Sequence, residues 1–130
     1  MEYDMPAEQM KIRSSLTPMR IGQIFQTVLE KRGVRFEPLT HGGNPIAAMG
    51  PQPELSVVAS HDKNIGAWAI QLIVHRDGDG SAVEMNVVYH SGLRRAWSGT
   101  SNTYSRSAGS SRAQLVLDAF NREDPRLRIL

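Results

Sequence analysis

The sequence predicts an α+β domain: an antiparallel sheet of about four strands built on a central hairpin, with one helix before it and one after it on the same face. Three observations carry this. Residues 67–75 and 82–90 each alternate apolar with polar side chains, the period of a strand with one buried face. The Asp/Gly-rich stretch Arg76 to Ser81 between them has the residues a tight turn needs for positive φ. Amphipathic helical patterns flank the pair, at residues 18–32 and 112–122.

Folding the hairpin about Gly78-Asp79 pairs residues whose numbers sum to 157. Trp68 then faces Tyr89, Ile70 faces Val87, Leu72 faces Met85 and Val74 faces Val83, while Gln71 meets Asn86 on the other face. A slip of one residue would turn every apolar side chain to the wrong side, so the pattern selects the register.

In chain order, residues 1–16 are weakly patterned and read as a flexible arm, with at most a short helix at Pro6 to Ile12. Thr17 and Pro18 make an N-cap and first helical position, Ile21, Ile24, Phe25, Val28 and Leu29 form one stripe, and Gly33 suits the stop. Val34 to Glu37 alternates as a short strand ended by Pro38. Prolines and glycines make residues 39–54 a long loop. Leu55 to Ala59 reads as a strand, and Leu93 to Ser98 as a further one. Residues 99–110, rich in Ser, Thr, Gly and Asn, read as a second long loop. The last helix opens at Ser111 with Gln114 as capping-box partner, buries Ala113, Val116, Leu117 and Phe120, and stops at Asp124-Pro125.

A chain of 130 residues with 40% hydrophobic and 22% charged residues makes one domain with a core of its own. The absence of cysteine removes disulfides, thiolate metal sites and thiol catalysis. No signal-like segment opens the chain and no apolar run is long enough for a bilayer, so a cytoplasmic protein without a membrane partner is expected. The net charge of +2 says little, but its distribution says more. No acidic residue stands between Glu84 and Asp118, where Arg94, Arg95, Arg106 and Arg112 all fall.

That segment is the first candidate site. Tyr89, Trp97 and Tyr104 interleave with the four arginines and with His90, in a background of hydroxyl residues. Arginine for phosphate, aromatic faces for bases and small polar donors are what single-stranded nucleic-acid sites use. Ser110 and Ser111, expected at a helix N-terminus, add amides suited to an anion. The bland reading is an exposed loop followed by a capped helix. Histidine chemistry is the second candidate. His75 and His90 lie at opposite ends of the hairpin, on the order of 20 Å apart, and cannot share a site within one subunit. His61 with Lys63 can approach His90 as a ribonuclease-type acid–base pair, with His41 as a third ligand if a metal were held. No two histidines stand at a metal-binding spacing, and packing or solvation accounts for them as well. The third candidate, Asp77 to Ser81, resembles a calcium loop but has Val88 where the bidentate acid belongs; the turn explains it.

The expectation is therefore a non-enzymatic binding module without cofactor or metal, its ligand nucleic acid. The alternative is a protein–protein interaction module (adaptor, inhibitor or small chaperone) gripping an acidic protein surface with the same segment, where Arg, Trp and Tyr are favoured contact residues. Ile73 and Val88 on the open sheet face add the expectation of a homodimer.

Overall fold

The computed structural model describes residues 9–38, 52–61, 67–88 and 106–130, Arg106 by its backbone only. Among these residues the fold is α+β, with two helices and one six-stranded antiparallel sheet. The elements run β1 (Gln9–Ser14), α1 (Pro18–Leu29), β2 (Val34–Pro38), β3 (Leu55–His61), β4 (Trp68–Asp77), β5 (Gly80–Val88), α2 (Arg106–Glu123) and β6 (Arg128–Ile129). The strand order is β2-β3-β4-β5-β1-β6.

The central hairpin carries the expected register: Ile70 pairs with Val87, Leu72 with Met85, Val74 with Val83 and Gln71 with Asn86. Its strands run further into the turn than 67–75 and 82–90, so that Asp77 pairs with Gly80 and only Gly78 and Asp79 remain as the loop. Gly78 takes φ 62°, the left-handed conformation that a tight turn asks of glycine. The pairs of Trp68 with Tyr89 and Ala67 with His90 lie outside the described residues, as does the strand expected at Leu93 to Ser98.

Two strands exceed the expected four. The segment read as an arm holds β1, which pairs with β5 from Gln9–Asn86 to Ser14–Ser81 and buries Met10, Ile12 and Ser14 in strict alternation. Without it β5 would present an open edge of unpaired amides. β6 then adds to β1, with Ile12 opposite Ile129 and Arg13 opposite Arg128. β3 also runs two residues beyond Ala59, to His61.

Helix α1 starts as its sequence implies. Thr17 caps it by accepting from the Arg20 amide at 3.2 Å, and Pro18 takes the first position. It stops at Leu29, three residues short of Arg32, because Glu30 is already extended and Gly33, at φ 89°, reverses the chain into β2. A Cβ at Gly33 would come within 3.0 Å of His61 Nε2, so glycine serves there for space as well as for angle. Phe25 on α1 meets Phe36 on β2 edge-to-face at 6.3 Å.

Helix α2 corrects the boundary read at 112. It begins at Arg106 and takes in Ser107-Ala108-Gly109-Ser110-Ser111, where Gly109 and three serines, weaker helix formers than alanine, read as loop. Packing overrides propensity here. Gly109 is buried, and a Cβ on it would lie 2.5 Å from Val87 Cγ1, so the missing side chain is what lets the helix backbone lie against β5. Phe25, Ile21 and Leu29 of α1 and Ala113, Val116 and Phe120 of α2 meet Ile70, Leu72, Val74 and Met85 of the sheet in one buried core. Burial of each large side chain stabilises by roughly 1.5–3 kcal/mol relative to exposure.

The end of α2 is tied to the end of β1. Asp124, 4% exposed, accepts from Ser14 Oγ and the Ser15 amide, both at 2.8 Å, and from the Arg126 amide at 3.2 Å. Burial pushes its carboxyl up, but the donors from Ser15, Ser14 and Arg126 more than offset this and hold it below the usual aspartate range. Nearby, Arg20 of α1 pairs with Glu123 of α2 on the surface.

Candidate functional site

The alternation of β4 places Trp68 on the helix side of the sheet, at the end away from the hairpin turn. His61, its partner in the β3–β4 ladder, stacks beside it with centroids 6.3 Å apart and planes 11° from parallel. From α2, the Arg112 guanidinium lies over the Trp68 ring at 5.8 Å from its centroid, within cation–π range. Trp68 is only 3% exposed, so the stack is a packed assembly in which the buried ring meets two half-buried side chains, His61 and Arg112. No carboxylate pairs with Arg112 among the described residues. Its guanidinium is thus held in place by the ring beneath it.

Of the residues singled out in the sequence, Tyr89, His90, Arg94, Arg95, Trp97 and Tyr104 lie outside the described residues, and Arg106 is placed by its backbone alone. Ser110 and Ser111 do not form a helix N-terminus. They lie past the first four residues of α2, where amides enter the helix's own hydrogen-bond ladder, so they are not the helix-end residues expected. Of the arginines in the segment, Arg112 alone has a described side chain.

The histidines divide as the register requires. His61 faces the helices, half-buried between Trp68 and Gly33, whereas His75 sits near the turn on the opposite face. His41, Lys63 and His90 lie outside the described residues, and no group of three metal-ligating side chains occurs among the described ones.

The open face of the sheet differs from the half-apolar surface expected. Val88, at 2% exposed, joins Val58, Ala67 and Ala69 in a second buried cluster within the single chain. Beside it, Asn86 donates to Gln71 at 3.3 Å and to Glu84 at 3.1 Å, a polar row on that face. Ile73 remains half-buried.

Two concavities were not visible in the sequence, because each joins elements far apart in the chain. A groove of about 420 Å³ runs between α1 and strands β2 and β3, with Met19, Phe25, Phe36 and Leu55 among its walls and Glu54 and Arg76 at its rim. Its floor is close-packed, since a Cβ at Gly22 would lie 2.6 Å from Leu55 Cδ2. A smaller cleft of about 260 Å³ lies at the turn end of the sheet, lined by Arg13, Ser14, Ser15, Asp77, Gly80, Asp124, Arg126 and Arg128. Arg13 Nε bonds Asp77 across it at 3.0 Å.

The fold and these surfaces define an α+β domain with an aromatic–arginine stack at one sheet end and a basic cleft at the other. No helix among the described residues is long and apolar enough to cross a membrane. Compared with protein-family models, curated proteins and solved structures, the chain has no significant match.

Proposed function

We propose that the protein is a non-enzymatic binding module for single-stranded nucleic acid, using residues 90–112 together with Tyr89. The observation that carries this reading is Arg112, fixed over Trp68 with no carboxylate partner among the described residues. An arginine so placed is pre-ordered for phosphate and loses little side-chain freedom on binding. Arg94, Arg95 and Arg106 supply further phosphate contacts, and Trp97 and Tyr104 supply stacking faces. His61 has a packing role in this reading, as the second plane of the Trp68 stack.

The test is fluorescence anisotropy with labelled single-stranded RNA and DNA across a salt series. Binding should weaken steeply with salt, and Arg112→Ala should both lower affinity and reduce the salt slope by about 0.7, the value for one phosphate contact on a single strand. Arg94→Ala and Arg95→Ala should act in the same direction. No saturable binding at low ionic strength refutes the proposal. A stoichiometric acidic protein recovered with the purified chain would move the ligand to protein instead.

A further inference from the structure

The second basic region begins from register. β6 is two residues long, but it is firmly held: the Leu130 amide donates to Lys11 O at 2.8 Å, and the Leu127 amide to Asp124 O at 3.0 Å. Leu127 packs on the core, which fixes the tail between these two bonds. The pairing sets Arg128 directly opposite Arg13. Like charges in directly opposed positions destabilise a strand pair unless a counter-charge lies between them.

Among the described residues two carboxylates line the cleft. Asp77 is engaged by Arg13. Asp124, the other acid in the cleft, is buried, and its oxygens are taken by Ser14, Ser15 and the Arg126 amide. Neither the Arg126 nor the Arg128 side chain has an ion-pair partner among the described residues. Three arginines therefore line a cleft with one exposed carboxylate, and the exposed Ser15 stands beside them as a neutral polar residue. At about 260 Å³ the space falls below the range of drug-sized ligands and suits a small anion.

We propose that this cleft binds a phosphate-type oxyanion, free or as a terminal phosphate monoester, between Arg13, Arg126 and Arg128. Guanidinium groups recognise such oxygens in paired, charge-assisted bonds, and a dianion relieves the Arg13–Arg128 repulsion that the register imposes. The cleft lies at the opposite end of the sheet from Arg112, roughly 30 Å away at nine residue steps, so it stands apart from the nucleic-acid reading.

The test is titration calorimetry and thermal melting with sodium phosphate against sodium chloride at matched ionic strength. Saturable one-site binding of phosphate, with a melting temperature that rises with its concentration, is expected. Arg126→Ala and Arg128→Ala should each weaken phosphate about tenfold or more. Arg122→Ala, on the exposed last turn of α2 and outside the cleft, should leave binding unchanged. Asp77→Asn frees Arg13 and should tighten binding, the reverse of what a purely structural ion pair would do. Arg128→Lys keeps the charge without the fork and should bind more weakly than the parent. A dinucleotide with a 5′-phosphate, set against inorganic phosphate, identifies which source is preferred. Equal responses to phosphate and chloride, or equal losses in the Arg122 and Arg128 variants, would overturn the assignment.

Discussion

Replacing Asp124 tests how the end of α2 is locked to the end of β1. The carboxylate receives three donors, two at 2.8 Å and one at 3.2 Å, at a site 4% exposed. Hydrogen bonds to a charged group are each worth about 1.5–3 kcal/mol, but the three do not simply add. Arg126 is exposed, so water can take its amide, and the Ser14 hydroxyl can rotate to another acceptor. The loss that remains in Asp124→Ala is the Ser15 bond together with part of the Ser14 bond, about 3 kcal/mol in total. Asp124→Asn should cost less, about 1 kcal/mol. Its carbonyl oxygen can keep both serine donors, but its NH₂ then faces the Arg126 amide, donor against donor. In urea, with a slope of about 2 kcal/mol per molar, the midpoint should fall by roughly 1.5 M for Ala and 0.5 M for Asn. The pH dependence follows from the lowered carboxyl. The unfolded chain binds the proton more readily, so this contribution is full above the ordinary aspartate value near about 4 and is lost as pH falls through the folded value. Urea midpoints followed by circular dichroism between about pH 2.5 and 7 should show a parent acid limb that is shallower in Asp124→Asn. An Ala variant within about 0.3 M of the parent, or an unchanged acid limb in the Asn variant, would refute the reasoning.

Two glycine substitutions test the close approaches that position the sheet and helices. Gly109→Ala gains helix propensity but drives a methyl group to 2.5 Å from Val87 Cγ1, so a net loss of about 1–2 kcal/mol is expected. Val87→Ala in the same chain should recover much of the helix docking, which a double-mutant cycle by urea denaturation measures as a favourable coupling. In the hairpin, Gly78→Ala meets no atom within 4 Å and should cost about 1 kcal/mol for its positive φ alone. Gly80→Ala places a Cβ 2.2 Å from Ser14 O, backbone that cannot yield without β1 leaving β5, and should cost more than about 3 kcal/mol. Equal losses at the two glycines would show that β1 does not press on the turn.

Much of the frame was legible because it is local. The hairpin has a period of two and a turn of its own, and the pairs Ile70–Val87 to Val74–Val83 follow from it. The stripe from Ile21 to Leu29 and the Thr17–Pro18 start are set within a few helical turns. Met10 and Ile12 already alternated with Lys11 and Arg13, but four residues are too short a signal to distinguish a strand from an arm. What made them β1 was the free edge of β5, about seventy residues away by chain, which the local pattern could not reveal. The polar start of α2 failed for a similar reason, since Gly109 reads as a helix breaker until Val87 is seen beneath it.

The site divides along the same line. Sequence alone identified an acid-free stretch holding Arg112, and set His75 near the turn through the hairpin register. It also placed glycine where the backbone turns, at Gly33 and Gly78. Tertiary structure alone brought Arg112 over Trp68, removed Ser110 and Ser111 from a helix N-terminus, buried Val88 on the face expected to be open, and gathered Arg13, Arg126 and Arg128 around one cleft. The physical reason is reach. Periodicity and turn chemistry act over a few residues and are written in the chain. The meeting of guanidiniums or apolar faces more than a hundred residues apart depends on which edges remain unpaired once the local elements have formed.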